Sequence, residues 1–288
     1  MSQSFTPSYL FVCSTGRAGS TVLMRILSRH REVLLRDQFP YETRFRQYLQ
    51  ATEINGKVFP DFAPQTVFSA TYEPFQFPDD EAVAWRNTLT PGPWTSSGLA
   101  NDFYSAIGNL QDRPQPKVIA EKSVGTELAE HILKADPNAR ALFLVRDPRD
   151  TFMSIKAFNE KAGHSEGFGA ALGDEAMFRN LLVHWRLFEY LRELCGARVA
   201  TAQYERISRG DRKALAALFN WLGVDADDAY VDQVVTDGIR RDANSEAHAT
   251  TPSVGRSIER WRRESSAEHI ELFGRYKAEI AAMGYPVE

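Results

Sequence analysis

The chain has 288 residues, a formal net charge of −4, 43% hydrophobic and 25% charged residues, and two cysteines. A chain of this length buries roughly three-quarters of the surface its unfolded form exposes, so it needs no disulfide or metal staple. The acidic balance argues against a general nucleic-acid binder, and the lone, widely separated Cys13 and Cys195 suggest neither a zinc site nor a disulfide framework.

Met1–Pro7 is polar, and the apolar run Tyr9–Cys13 is too short for a signal segment. No stretch approaches the roughly 20 apolar residues of a membrane span, so the expected location is cytoplasmic. Tyr9–Cys13 predicts a short strand buried on both faces, as in a parallel sheet. It runs into Ser14-Thr15-Gly16-Arg17-Ala18-Gly19-Ser20-Thr21, after which Val22, Leu23, Ile26, Leu27 and His30 recur at helical spacing. Strand, glycine-rich loop and helix in that order open a doubly wound α/β sheet.

Residues 52–116 break the pattern, being rich in Pro, Gly, Trp and Phe. They read as an insertion packed on the core that shapes a substrate pocket, or as decoration. Val118–Ala120 and Ala141–Val145 are further strands. Asp147 and Pro148 then start a helix, with an N-cap acceptor followed by proline at the first helical position. Lys161–Gly173 carries four glycines and has the composition of a mobile lid.

A long helix follows, with Phe178, Leu181, Leu182, Trp185, Phe188, Leu191 and Leu194 on one face. It leads to a strand over Arg198–Gln203. Ala214–Leu222 is an amphipathic helix ended by Gly223, and Ala267–Met283 forms the last helix before Gly284. The alternation defines an α/β protein: one domain over 1–288, with a mainly parallel sheet of about five strands flanked by helices.

Two constellations carry chemistry. In the first, a loop of small residues between strand and helix directs backbone N–H groups at an anion, and the helix dipole adds positive potential. A nucleotide-binding P-loop would have glycine at position 14 and lysine at position 20, but the chain has Ser14 and Ser20, and its cation is Arg17. In the second, Arg146 ends a buried strand, where open α/β sheets bind ligands. Ser154 follows eight residues later, about two helical turns on. A guanidinium and a hydroxyl so placed can hold one phosphate.

Together these segments resemble the sulfotransferase superfamily, whose fold is like that of the P-loop nucleotide hydrolases. The resemblance implies that Arg17, Ala18, Gly19, Ser20 and Thr21 bind the 5′-phosphosulfate of 3′-phosphoadenylyl sulfate (PAPS), and that Arg146 and Ser154 bind its 3′-phosphate. Gln203-Tyr204-Glu205 is similar to a Tyr-Glu element near the adenine. Thr251–Trp261 is similar to a C-terminal phosphate-contacting segment, with Arg256 and Ser257 as its ligands; a solvated helix face is the other reading of its basic cluster.

Lys122 falls where a family lysine contacts the transferring sulfuryl group. The histidine base of animal cytosolic members is replaced here by Val124. Glu42 is then the expected base, as in similar bacterial and tyrosylprotein enzymes, with Asp37 second; Glu42 as a simple helix-start carboxylate is the structural alternative. His131, His164, His184, His248 and His269 fit no ligand spacing, and no metal is expected.

The function implied is sulfuryl transfer to a hydroxyl or amine of a small-molecule, carbohydrate or peptide acceptor, and the reading leaves room for a homo-oligomer. The rival readings are a small-molecule kinase with a divergent P-loop and a non-catalytic module that binds a phosphorylated nucleotide.

Overall fold

The computed structural model describes residues 7–39, 41, 44–47, 49–50, 96–123, 127–162, 172–240, 243, 246 and 249–288. Five strands, β1 (Ser8–Cys13), β2 (Val33–Leu34), β3 (Val118–Ser123), β4 (Arg140–Val145) and β5 (Val199–Gln203), form one sheet in the order β2-β3-β1-β4-β5. Every pairing is parallel. This is the expected α/β fold, with β1 at the centre.

Successive residues of a strand point to opposite faces, and here both faces are covered. Tyr9, Phe11 and Cys13 of β1 join a cluster with Phe143 of β4 and with Phe103, Tyr104, Phe152, Phe178, Phe188 and Phe273. These rings come from the helices Ser96–Leu110, Pro148–Ala162, Asp174–Cys195 and Ala267–Arg275. Leu10, Val12, Leu142 and Leu144 point the other way, into a mainly aliphatic cluster with Leu23, Ile26, Leu215, Phe219, Val231 and Val235. That layer is made by the helices Ser20–Ser28, Arg212–Leu222 and Asp228–Ile239.

Two of those helices meet closely at Gly238, where an added Cβ would lie 2.6 Å from the Ile26 Cα. The buried Arg25 donates to the Gly238 and Ile239 carbonyls at 2.6 and 3.1 Å, satisfying the end of the second helix with a cation where the helix dipole favours one.

Several boundaries differ from the sequence reading. The two-residue β2 is too short to leave a periodic signal. Strand β3 runs on to Ser123, so Lys122 lies within the strand rather than after it. Arg198 belongs to a 3-10 turn, and β5 begins at Val199. Leu194, expected on the buried face of its helix, is 46% exposed, because the last turn of that helix passes the edge of the core. The closing helix is two helices, Ala267–Arg275 and Lys277–Ala282, broken at Tyr276. Asp147 accepts at 2.9 Å from the Arg149 N–H as the helix-starting residue, and Gly223 ends its helix at φ 75.

Of the stretch 52–116, residues 51–95 lie outside the described residues, and Ser96–Leu110 is a helix whose Ala100, Phe103, Tyr104 and Ile107 are buried in the core. Most of the Lys161–Gly173 loop is also outside them. Among the described residues, no helix is long and apolar enough to cross a membrane.

Candidate functional site

The C-terminal ends of β1, β3, β4 and β5 meet on one side of the sheet, where parallel α/β folds bind ligands. After β1 the loop turns tightly: the Ala18 N–H donates to the Thr15 carbonyl at 3.3 Å, and the Val22 N–H to the Gly19 carbonyl at 3.0 Å. Arg17 and Gly19 both have left-handed backbone, at φ 64 and φ 92. Gly19 admits no side chain, since a Cβ there would lie 2.3 Å from the Tyr204 ring. Ala18 and Ser20 are buried, while Thr21 at the start of the helix is half-buried.

Arg146 is the centre of this site. It is 6% exposed, and its two terminal nitrogens donate to the Arg17 carbonyl at 2.9 Å and the Ser257 carbonyl at 2.7 Å. Its guanidinium carbon lies 4.7 Å from the centre of the Tyr204 ring, and the Tyr204 hydroxyl is 2.9 Å from Ser257 Oγ. The buried Nε has no hydrogen-bond partner. One side chain thus ties together the glycine-rich loop, the turn after β5 and the C-terminal segment, and keeps one donor over. The Arg17 guanidinium reaches across to the Pro148–Ala162 helix and lies 4.4 Å from the centre of the Phe158 ring.

Ser154, on that same helix, is 3% exposed. Its Oγ is 3.4 Å from Thr250 Oγ1, which accepts at 2.9 Å from the buried Arg260. Arg260 also pairs with Glu264 at 2.5 Å. Of the two C-terminal residues expected at the site, Ser257 is buried within it, whereas Arg256 is exposed.

Three carboxyl groups lie behind Arg146. Asp147 forms a buried ion pair with Arg149 at 2.7 Å. Asp150 accepts from the Trp261 N–H at 2.9 Å, and burial pushes its pKa up to about 6. Burial likewise raises the Glu205 pKa; this carboxylate accepts from the Asp147 N–H at 3.1 Å and the Tyr285 hydroxyl at 2.9 Å.

Lys122 is half-buried near the end of β3, and the sheet register sets it beside Val12, two residues before Ser14 opens the loop. Its neighbour Glu121 is fully buried. The Glu121 carboxylate accepts from the Arg46 N–H at 2.6 Å, the Gln47 N–H at 3.2 Å, Gln47 Nε2 at 3.0 Å and the Tyr104 hydroxyl at 2.5 Å. It therefore caps the start of the helical residues 45–47 from outside that helix. Burial raises its pKa, and these hydrogen bonds oppose the shift.

Glu42 lies outside the described residues, as do Val124, His164 and His248. Asp37 is half-buried and acts on Arg113, whose guanidinium donates to the Val33 and Ser28 carbonyls. His269 pairs with Asp174 at 3.0 Å on the surface. Among the described residues, no group of three or more His, Cys, Asp or Glu is placed to hold a metal.

The structure thus draws together Arg17, Gly19, Arg146, Tyr204 and Ser257, and connects Ser154 through Thr250. Sequence reasoning missed Glu121, Asp150, Thr250, Arg260 and Tyr285. For Glu121 a signal was present: a glutamate inside a buried parallel strand demands partners.

A glycine-rich turn, a left-handed arginine and a buried guanidinium thus meet at the C-terminal ends of a parallel sheet, where such folds bind ligands. A model of the sulfotransferase family matches residues 7–228, most of the chain, and the chain belongs to that family. No curated protein matches it.

Solved structures share the fold over nearly the full length. The sulfotransferase domain of the Synechococcus PCC 7002 olefin synthase is 18% identical, with a TM-score of 0.51, covering 98% of this chain and 97% of that one. A sulfotransferase from Alicyclobacillus acidocaldarius is 16% identical, with a TM-score of 0.55 and coverage of 96% and 94%. A mouse sulfotransferase complexed with PAP is 13% identical, with a TM-score of 0.53 and coverage of 96% and 88%.

Proposed function

We propose that this protein moves a sulfuryl group from PAPS to a hydroxyl or amine of an acceptor, a small molecule, carbohydrate or peptide. The observation that carries the reading is Arg146: a buried cation joining three segments, with an unpartnered Nε–H, beside a loop whose backbone is curled for an anion. A buried cation is stabilised by a nearby negative charge, and a phosphate held by the adjoining loop would supply one. The PAP bound to the mouse relative, which is the donor without its sulfuryl group, supports the same ligand class.

The chain's own groups then divide the work. The backbone N–H groups of Arg17–Thr21, with the Ser20 and Thr21 hydroxyls, hold the 5′ side of the donor. Arg146, Ser154, Arg256 and Ser257 hold the 3′-phosphate, and Tyr204 flanks the base. Arg17 and Lys122 stand where the departing phosphate gains negative charge, which fixed cations stabilise without reorganisation. Glu42 takes the proton from the acceptor, with Asp37 as the second choice. Residues 52–116, within a single domain over 1–288, shape the acceptor pocket.

Titration calorimetry tests the donor assignment. The protein should bind PAP more tightly than AMP, which lacks the 3′-phosphate. Arg146→Ala should weaken PAP by roughly ten- to a hundredfold, the worth of one charge-assisted contact. Equal affinity for AMP and PAP overturns the assignment.

A further inference from the structure

Strands β4 and β5 run in parallel register, with Val145 opposite Gln203, and the next two residues of each strand leave the sheet side by side. The first pair, Arg146 and Tyr204, faces the glycine-rich loop, with the guanidinium over the phenol ring. The second pair, Asp147 and Glu205, faces away, and the Glu205 carboxylate holds the Asp147 N–H. The polypeptide is thus split into two adjoining layers, one toward the proposed donor and one toward whatever lies behind.

What lies behind is the segment Gly284-Tyr285-Pro286. The helix Lys277–Ala282 ends with Gly284 at φ 87, which turns the chain so that an added Gly284 Cβ would sit 3.8 Å from Gln203 Nε2. The Tyr285 hydroxyl then donates to Glu205 at 2.9 Å, and the Pro286 carbonyl accepts from Arg149 at 2.6 Å. Arg149 is itself tied to both oxygens of Asp147, at 2.9 and 2.7 Å. The rear layer is therefore clasped by two adjacent residues, Glu205 by Tyr285 directly and Asp147 by Pro286 through Arg149. Neither Tyr285 nor Pro286 is bonded to Arg146 or Tyr204 in front.

We propose that Tyr285 is a positioning residue of the donor site: through Glu205 it fixes the backbone at Asp147, and so the aim of Arg146, one residue earlier. The proposal rests on the donor reading above. With the hydroxyl removed, Glu205 loses one of its two fixed partners and is free to turn away from the Asp147 N–H. Arg146 then samples orientations in which it no longer meets the 3′-phosphate, at a cost in affinity.

The test is calorimetry of the full chain with PAP and with AMP. Tyr285→Phe keeps the ring and its packing. It should weaken PAP by roughly five- to tenfold and leave AMP within about twofold, so that selectivity for the 3′-phosphate falls. In an Arg146→Ala background the same substitution should change PAP affinity by less than about twofold, because its effect passes through that guanidinium.

Equal weakening of both ligands marks a purely structural role and overturns the proposal. So does an effect that persists without Arg146, or a selectivity unchanged in Tyr285→Phe. A wild-type protein that binds PAP no better than AMP instead overturns the donor reading itself, before any variant is made.

Discussion

The proposed donor and acceptor sides of the sheet are held by opposite designs. Around the ends of β4 and β5, charge is distributed: Arg146 donates to the carbonyls of Arg17 and Ser257, Arg149 to Asp147 and Pro286, and the Trp261 N–H to Asp150. All but the Arg149–Asp147 pair join segments far apart in the chain, and no single tie carries the whole. At the end of β3 the arrangement is concentrated. One carboxylate, Glu121, receives two backbone N–H groups, an amide and a phenol. With the Gln47 amide, which also donates to the Lys122 carbonyl at 3.2 Å, it joins the strand carrying Lys122 to the residues that follow Glu42. On one side many groups share the ties; on the other most of them converge on one carboxylate.

The largest expected effect breaks that comparison most directly. Glu42→Gln keeps the shape of the side chain but cannot take a proton. Sulfuryl transfer in single-turnover kinetics, with saturating donor and an acceptor found by screening, should fall by roughly 10²–10⁴-fold. Affinity for PAP should stay within about twofold, because Glu42 belongs to the acceptor side. Asp37→Asn should cost much less. A near-normal rate for Glu42→Gln removes it from catalysis, and a collapse only in Asp37→Asn moves the role there.

The same contrast explains what the sequence discloses. Features that depend on neighbours along the chain are legible: the β1 strand with its glycine-rich loop, the Asp147–Pro148 helix start, the Gly223 stop, and the eight-residue spacing from Arg146 to Ser154. Contacts between distant segments are not. Nothing local to Tyr285 points to Glu205, 80 residues away, and nothing local to Thr250 points to Ser154, 96 residues away. Strand β2 escapes because two residues show no alternation. Leu194 misleads because helical periodicity shows which face a residue lies on, not where the neighbouring core ends. The residues around the ends of β4 and β5 are therefore legible one by one, without the carboxylates that tie them together.

A smaller effect separates the buried carboxylates of the two sides by pH. Asp150 is 1% exposed, and its pKa is raised from 3.8 to about 6, chiefly by burial. Below the lower value both folded and unfolded states hold the proton. Between the two values only the folded state does, so folding takes up a proton and stability falls as pH rises. Above about 6 both are ionised, and the folded state bears the cost of a buried charge. The contribution of Asp150 to stability is therefore present in acid and lost as pH rises through 6. The loss is at most about 3 kcal/mol, from roughly two pKa units at 1.36 kcal/mol each. Asp150→Asn has no such titration and still accepts from the Trp261 N–H. Urea unfolding near pH 4.5 and 7.5 should show wild type losing stability relative to the variant on going to the higher pH; parallel profiles would mean that Asp150 is not strained by burial.

The smallest expected effect is none at all, and it sharpens the assignment of the donor side. A kinase or nucleotide hydrolase of the P-loop type places a lysine and Mg²⁺ on the β- and γ-phosphates, and its activity is lost without the metal. Here position 20 is Ser20, and the cations at the site are Arg17, Arg146 and Lys122. A transferring sulfuryl group carries less charge than a phosphoryl group. Fixed guanidinium and ammonium groups then stabilise the charge that develops on the leaving phosphate. With EDTA in place of Mg²⁺, PAP affinity and the rate of sulfuryl transfer should both stay within about twofold of their original values. Binding and turnover are to be measured separately, because a metal that only shields the phosphates moves affinity alone, whereas a metal in the chemistry moves the rate at saturating donor. Activity that requires ATP, vanishes in EDTA and returns with Mg²⁺ would make the protein a kinase, and the arginines of the donor side would then be structural.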